Sequence, residues 1–459
     1  MHNGAAHSVA HSWGNGDRPS PQPSPRKERG EGGDRVCVGP LITPHRNQLF
    51  RILVQHTDWT GHYGDAASAR DYWVKLCLLW LAGVALRLTL LAVPPIIPMI
   101  QRDLQLSGTE IGILSGLPAV LFGAAALPGS ALVGRFGALR TLIAGLIVTG
   151  IASALRGAML NVWVLYAATV VMSTGIAIMQ PSLPPLVRQW LPQRVTFATA
   201  VFTNGLLVGE VIAVMLTIPL VLPIVNGSWR AALAVWSLPI FLIAAVFIVL
   251  APRSSTPAVP VPTSSSVSRA SWRNKQIWQL GFVFGSVNSV YFCSNAFLPG
   301  HLAAAGRSDL IGGALTALNF GQLPASLVLL AISTRFERRA LPFVLSGALM
   351  LLCLAGIAMT AGAWTIVFAA GIGALCAVVL TLGFALPPLL TAPSDVARMS
   401  AAMFTISYSE GLFVSVLSGM SWDLTGDARF AFLPIAISTL PLLLVAPGIR
   451  FSAARPSAL

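Results

Sequence analysis

The sequence predicts an all-α membrane protein whose twelve transmembrane helices form two six-helix bundles. Three observations carry that prediction. Of 459 residues, 55% are hydrophobic and only 10% charged, with a mean hydropathy of +0.75, whereas soluble domains carry about 25% charged residues. Apolar runs long enough to cross about 30 Å of hydrocarbon follow one another along the chain. Matching marks recur in the two halves: Pro184 with Pro387, Phe202 with Phe404 and Arg135 with Arg335, at spacings of 200–203 residues. A parallel duplication of six-helix units is a carrier arrangement.

Residues 1–73 read as a disordered N-terminal extension. The stretch RPSPQPSPRKERGEGGDR is rich in Pro, Arg and Gly and has no periodic apolar face. It also lacks the apolar core of a signal peptide. Spans are then expected at 74–100, 110–133, 139–157, 162–187, 196–223 and 229–251, which make an N-terminal six-helix bundle. A Pro- and Ser-rich cytoplasmic linker covers 252–276. The C-terminal bundle, 277–451, holds spans at 277–301, 310–333, 340–361, 364–390, 399–421 and 430–449, and residues 452–459 form a tail. Prolines 94, 95, 98, 118, 128, 181 and 184 are expected to bend their helices.

The net charge of +13 is a topology signal. Residues 1–72 carry eight basic and seven acidic residues, so nearly all the excess lies in the helical region, largely in short connections. With both termini placed in the cytoplasm, fourteen Lys and Arg fall on that side. Five, Arg102, Arg156, Arg230, Arg307 and Arg429, fall on the other. This is the positive-inside bias of a plasma-membrane protein, and it speaks against a nucleic-acid patch. Cys77, Cys293, Cys353 and Cys376 lie in apolar runs without CxxC pairing and read as buried thiols; Cys37 precedes them. Six of seven histidines lie before residue 63 and only His301 joins the helical region, so no zinc-like spacing exists.

Three strong charges are expected deep within spans: Arg87, Glu210 and Glu410. Counted from the cytoplasmic ends of their helices at about 1.5 Å per residue, all three lie about 17–21 Å deep. That level is where a six-plus-six carrier holds its solute. A guanidinium cannot neutralise itself, so Arg87 must face a wet cavity, an acidic partner or an anionic ligand. Its planar fork suits oxygen acceptors. Three roles fit: binding an anionic substrate group, pairing with Glu210 or Glu410 to fix helix packing, or snorkelling from a lipid-facing position. Glu210 and Glu410 can titrate, so each is a candidate for proton coupling or a counter-ion. Asn288, Tyr291 and Asn295 fall on one face of the seventh span, to line the cavity or to bond another helix. Asn319, Gln322, Asn204 and Gln180 are weaker candidates for that cavity and read more readily as interhelical glue.

The segments ALRLTLLAVPPIIPMI, LSGLPAVLFGAAALPGSALVGRFG, QPSLPPLVRQWLPQR and GSWRAALAVW together resemble the cyanate and 2-nitroimidazole permease family of the major facilitator superfamily. The resemblance spans about residues 74–450. It rests most on Leu86-Arg87, the region of Pro118, and Pro181, Pro192 and Arg194, with Tyr291 and Pro299 matching its seventh-span pattern. It implies a twelve-helix, alternating-access inner-membrane carrier of small molecules, often anions, with Arg87 at the family's first-span arginine. The loop motif after the second span departs from the wider superfamily: Gly134 stands where an aspartate is usual and Leu139 where a basic residue is usual.

The expectation is a monomeric secondary transporter for a small anionic solute, proton-coupled or not. The alternative is an exporter of neutral or weakly acidic nitro-heterocycles. No cofactor, metal or nucleic-acid partner is expected, and no nucleophile or paired catalytic carboxylates suggest an enzyme.

Overall fold

Helices dominate because a continuous apolar run in lipid can satisfy its backbone groups within its own segment only as a helix. A computed structural model describes residues 66–124, 126–158, 161–252, 274–336, 339–391 and 396–449. The expectations for residues 1–65, for most of the linker and for the C-terminal tail lie outside the described residues.

Each of the twelve expected spans coincides with a helical segment. We name the main helix of each segment α1 (Ala66–Leu91), α2 (Gly108–Ala124), α3 (Ala138–Gly157), α4 (Val162–Met179), α5 (Val195–Leu216), α6 (Ser237–Leu250), α7 (Lys275–Ala304), α8 (Ile311–Phe320), α9 (Leu341–Met359), α10 (Trp364–Leu390), α11 (Val396–Thr425) and α12 (Phe432–Ile437). Among the described residues, nine helical stretches are long and apolar enough to cross a membrane. A tenth is the pair Gly108–Ala124 and Pro128–Phe136, bent by 54°. The first helix starts at Ala66 rather than at residue 74, so residues 66–73 are helical and not part of a disordered extension.

The prolines act unequally. Pro94 and Pro95 open a 3-10 turn that breaks the first span before Ile97–Leu104. Pro181 sits in a similar turn, Gln180–Ser182, below α4. Pro118 and Pro299, by contrast, lie inside continuous helices. Neighbouring helices can re-satisfy the backbone group that a proline frees.

Small residues set the tight contacts. Gly205 and Gly209 of α5 form a GxxxG step against α1. A Cβ at Gly205 would run into the Trp80 carbonyl, and one at Gly209 would come 2.6 Å from the Val84 carbonyl. On α2, Gly108, Gly112 and Gly116 face α11 in the same way, against Gly419, Ser415 and Leu412. Without a hydrophobic force between helices in lipid, such close packing is what joins them. The most extensive contacts between the halves are α2 with α11 and α5 with α8, and α7 also meets α2 and the segment Ile97–Leu104. The outer surface is apolar, with Leu424, Met359, Val249 and Leu444 exposed, as a lipid solvent permits. Cys77 is exposed rather than buried, because its helix turns that face outward; Cys293 and Cys376 are buried and Cys353 is half-buried.

Candidate functional site

The GxxxG contact has a chemical consequence. By drawing α5 onto α1, it puts Glu210, next to Gly209, against Arg87. The Arg87 Nε stands 3.2 Å from the Glu210 Oε1, with side chains 14% and 3% exposed. Gln322, at the start of the helix Gln322–Phe336, donates Nε2–H to the other carboxylate oxygen at 3.0 Å. A side chain from the second half therefore completes a carboxylate that belongs to the first.

Aromatic rings close around the cation. The Arg87 Cζ lies 5.5 Å from the centroid of Phe122 on α2 and 5.8 Å from that of Phe292 on α7. Both distances fall within cation–π range. Phe122 meets Tyr408 of α11 edge to face, and Tyr408 stacks on Phe404. Three helices, α2, α7 and α11, thus supply the aromatic walls. The Arg87 Nη1 is buried and makes no hydrogen bond. The fork is charge-balanced by Glu210 yet keeps unused donors.

The seventh-span face divides its labour. The Tyr291 hydroxyl donates to the Asn319 Oδ1 at 2.7 Å and lies in the electrostatic neighbourhood of Glu210 and Arg87. Asn319 donates in turn to the Asn295 Oδ1 at 2.9 Å and to the Leu315 carbonyl at 2.8 Å. Asn295 donates to the carbonyl of Tyr291. Asn288 points elsewhere and donates to the Ser407 Oγ of α11 at 2.6 Å. Of the three candidates, then, Tyr291 reaches the Arg87 centre, Asn295 braces it through Asn319, and Asn288 ties α7 to α11.

Glu410 stands apart from that centre. It packs against Gly285 of α7, where a Cβ would collide with its carboxylate, and its Oε2 is buried with no hydrogen-bond partner. Among the described residues Arg87 pairs with Glu210 and not with Glu410.

Gln322 makes an interhelical bond, and the group it bonds is the Glu210 carboxylate. One expectation needs correction. Arg156 counts by sequence among the charges on the outer side, at the end of the span 139–157; the structure keeps it in the last turn of α3 but buries it, at 2% exposed, as a fourth charge within the bundle. Its place beside Gly157 and before the α3–α4 connection makes it look like a loop residue. Asn204 accepts from the Trp80 indole at 3.1 Å, as interhelical glue, and Gln180 is exposed near Tyr408. Among the described residues no group of three His, Cys, Asp or Glu side chains gathers to hold a metal.

Comparison with known proteins agrees with this architecture. The cyanate transport protein CynX of Escherichia coli (strain K12) is 26% identical over 384 residues, covering 82% of this chain and 98% of that protein. The 2-nitroimidazole transporter of the same organism is 25% identical over 388 residues, covering 81% and 94%. Among solved structures, a mutant of the nucleoside transporter NupG superposes with a TM-score of 0.70 at 12% identity, over 82% of this chain and 99% of that one. A bacterial homolog of the human lysosomal transporter Spinster superposes with a TM-score of 0.64 at 14% identity, over 82% and 96%. The family profile described as Major Facilitator Superfamily matches residues 79–415. With that profile spanning most of its helices and relatives that are transporters rather than enzymes, this chain belongs to the major facilitator superfamily.

Proposed function

We propose that the protein is a secondary transporter that moves a small anionic solute, cyanate-like or a short organic anion, across the bacterial plasma (inner) membrane by alternating access. Both termini lie in the cytoplasm, a reading supported by the bias of Lys and Arg. The observation that carries the proposal is Arg87: a buried permanent cation, at mid-membrane depth by residue count, that stands against Glu210 and keeps an Nη1 donor with no hydrogen-bond partner. Binding is an exchange in which the solute takes up that donor while Glu210 and Gln322 hold the fork in place. Tyr291 stands beside that centre, Asn295 supports it through Asn319, and Asn288 holds α7 against α11.

Glu410 carries the coupled proton in this reading, and Glu210 is the counter-ion. Glu210 is engaged by Arg87 and Gln322, whereas one Glu410 oxygen has no partner, so a proton can be taken up there without breaking an ion pair. One chain is sufficient for function, since both of its halves contribute to the site. The domain boundaries proposed are an N-terminal bundle to residue 251, a cytoplasmic linker, and a C-terminal bundle from about residue 277.

A second reading rests on the rings. Phe122, Phe292 and Tyr408 beside Arg87 suit a flat π-system, so export of a neutral or weakly acidic nitro-heterocycle, its nitro oxygens on Arg87, is the alternative. Uptake of labelled anions into proteoliposomes tests the first reading. Wild-type activity that survives Arg87→Ala contradicts it.

A further inference from the structure

Arg156 presents a problem that the transport site does not solve. It is 2% exposed, and among the described residues it forms no ion pair. Its Nη1 has two weak acceptors, the carbonyl of Thr89 on α1 at 3.4 Å and the Met172 Sδ on α4 at 2.9 Å. Its Nε has none. A guanidinium stays charged, and an uncompensated buried cation costs several kcal/mol even after relaxation. The carbonyl end of α3, in whose last turn Arg156 lies, supplies only about half an elementary charge.

The surroundings are rich in donors. The Thr89 Oγ1 and the Ser153 Oγ are both buried with no hydrogen-bond partner. Ser153 precedes Arg156 by three positions and so shares its face of α3. Thr89 follows Arg87 by two positions, which turns it about 200° around α1, away from the Arg87 and Glu210 contact and towards the side from which Arg156 reaches the helix. The guanidinium lies at the junction of α1, α3 and α4, and Ser153 and Thr89, adjacent to it by helix position and by the Thr89 carbonyl contact, carry hydroxyls without a partner. Leu88 next to Thr89, Ala152 next to Ser153 and Met172 beside Arg156 are buried, and such apolar packing favours the smallest anions.

We infer that Arg156, with Ser153 and Thr89, forms a resident site for a small monovalent inorganic anion of the halide class. The anion neutralises Arg156 and accepts from the Ser153 and Thr89 hydroxyls. It is structural and not transported, since α1 stands between this site and the Arg87 centre.

Chloride is the probe. Thermal unfolding of the purified full-length protein in detergent is followed in sodium chloride and in sodium gluconate at equal ionic strength. The expected result is a higher Tm in chloride, saturating as chloride rises, because a ligand bound only to the folded state stabilises it. Arg156→Gln should abolish that response. Ser153→Ala should raise the half-saturating chloride concentration about tenfold, the loss expected for one hydrogen bond to a charged group. Arg87→Gln should leave the response intact. Equal Tm values in the two salts overturn the inference. So does a chloride response unchanged in Ser153→Ala, which decides the matter where Arg156→Gln does not fold. A response lost in Arg87→Gln assigns chloride to the central site and overturns it equally.

Discussion

Arg87 and Glu210 face each other across α1 and α5, 3.2 Å apart, because Gly205 and Gly209 let the two backbones meet. The pair is buried, so removing one member strands the other. Glu210→Gln should lower stability by about 3 kcal/mol, read as a fall in Tm. The double variant Arg87→Met with Glu210→Met should recover much of that loss while remaining inactive in transport. Recovery of transport in the double variant would assign the pair to packing alone.

Arg87→Lys preserves charge but not geometry. An ammonium has no planar fork with which to hold Glu210 and a second set of oxygens together. Uptake should fall at least about tenfold in Arg87→Lys and further in Arg87→Ala, with membrane insertion unchanged. Initial rates in proteoliposomes check this.

The pH dependence of transport should trace to Glu410 and not to the loop carboxylates. Arg307 beside Asp309, and Arg429 beside Asp427, hold those two carboxyls below the ordinary carboxylate range. Both therefore stay ionised between about pH 5 and 8, and their contribution is lost only as pH falls further. Glu410→Gln should flatten the pH profile of uptake over that window, while Asp309→Asn and Asp427→Asn leave it unchanged. A profile unaltered by Glu410→Gln removes this residue from coupling.

Asp423 of α11 accepts from the backbone N–H of Gly108 at 2.6 Å and of Thr109 at 2.8 Å, and from the Thr109 hydroxyl at 2.5 Å. One carboxylate thus caps α2 from the other half of the chain. Further along the same helix pair the approach loosens: a Cβ at Gly123 would have its nearest contact, with Tyr408, at 3.6 Å. Asp423→Asn should weaken this closure. Thiol reagents should then label a cysteine placed at Gly123, where a Cβ has room, faster by about tenfold, the scale of one charge-assisted hydrogen bond.

Much of this was legible in sequence because lipid imposes simple rules. Runs of apolar residues located all twelve helical segments, and the rarity of buried charge singled out Arg87, Glu210 and Glu410. What the sequence hid were relationships across the fold. Nothing local marks Gln322 as a partner of Glu210 112 positions away. Nor does hydropathy separate Arg156, buried at a helix end, from the loop arginines that obey the positive-inside rule. Register along α7 also escaped it: Asn288 and Tyr291 share a face, yet one bonds α11 and the other reaches the Arg87 centre.

The central claim is that Arg87 receives an anion. It is tested most directly by thermal-shift binding of the purified full-length protein to a panel of cyanate, nitrate, short carboxylates and nitroimidazoles, for wild type, Arg87→Lys and Arg87→Ala. The account predicts that at least one anion raises the wild-type Tm in a saturable manner and that both variants lose the shift. An anion that stabilises Arg87→Ala as well as it stabilises the wild type would contradict it.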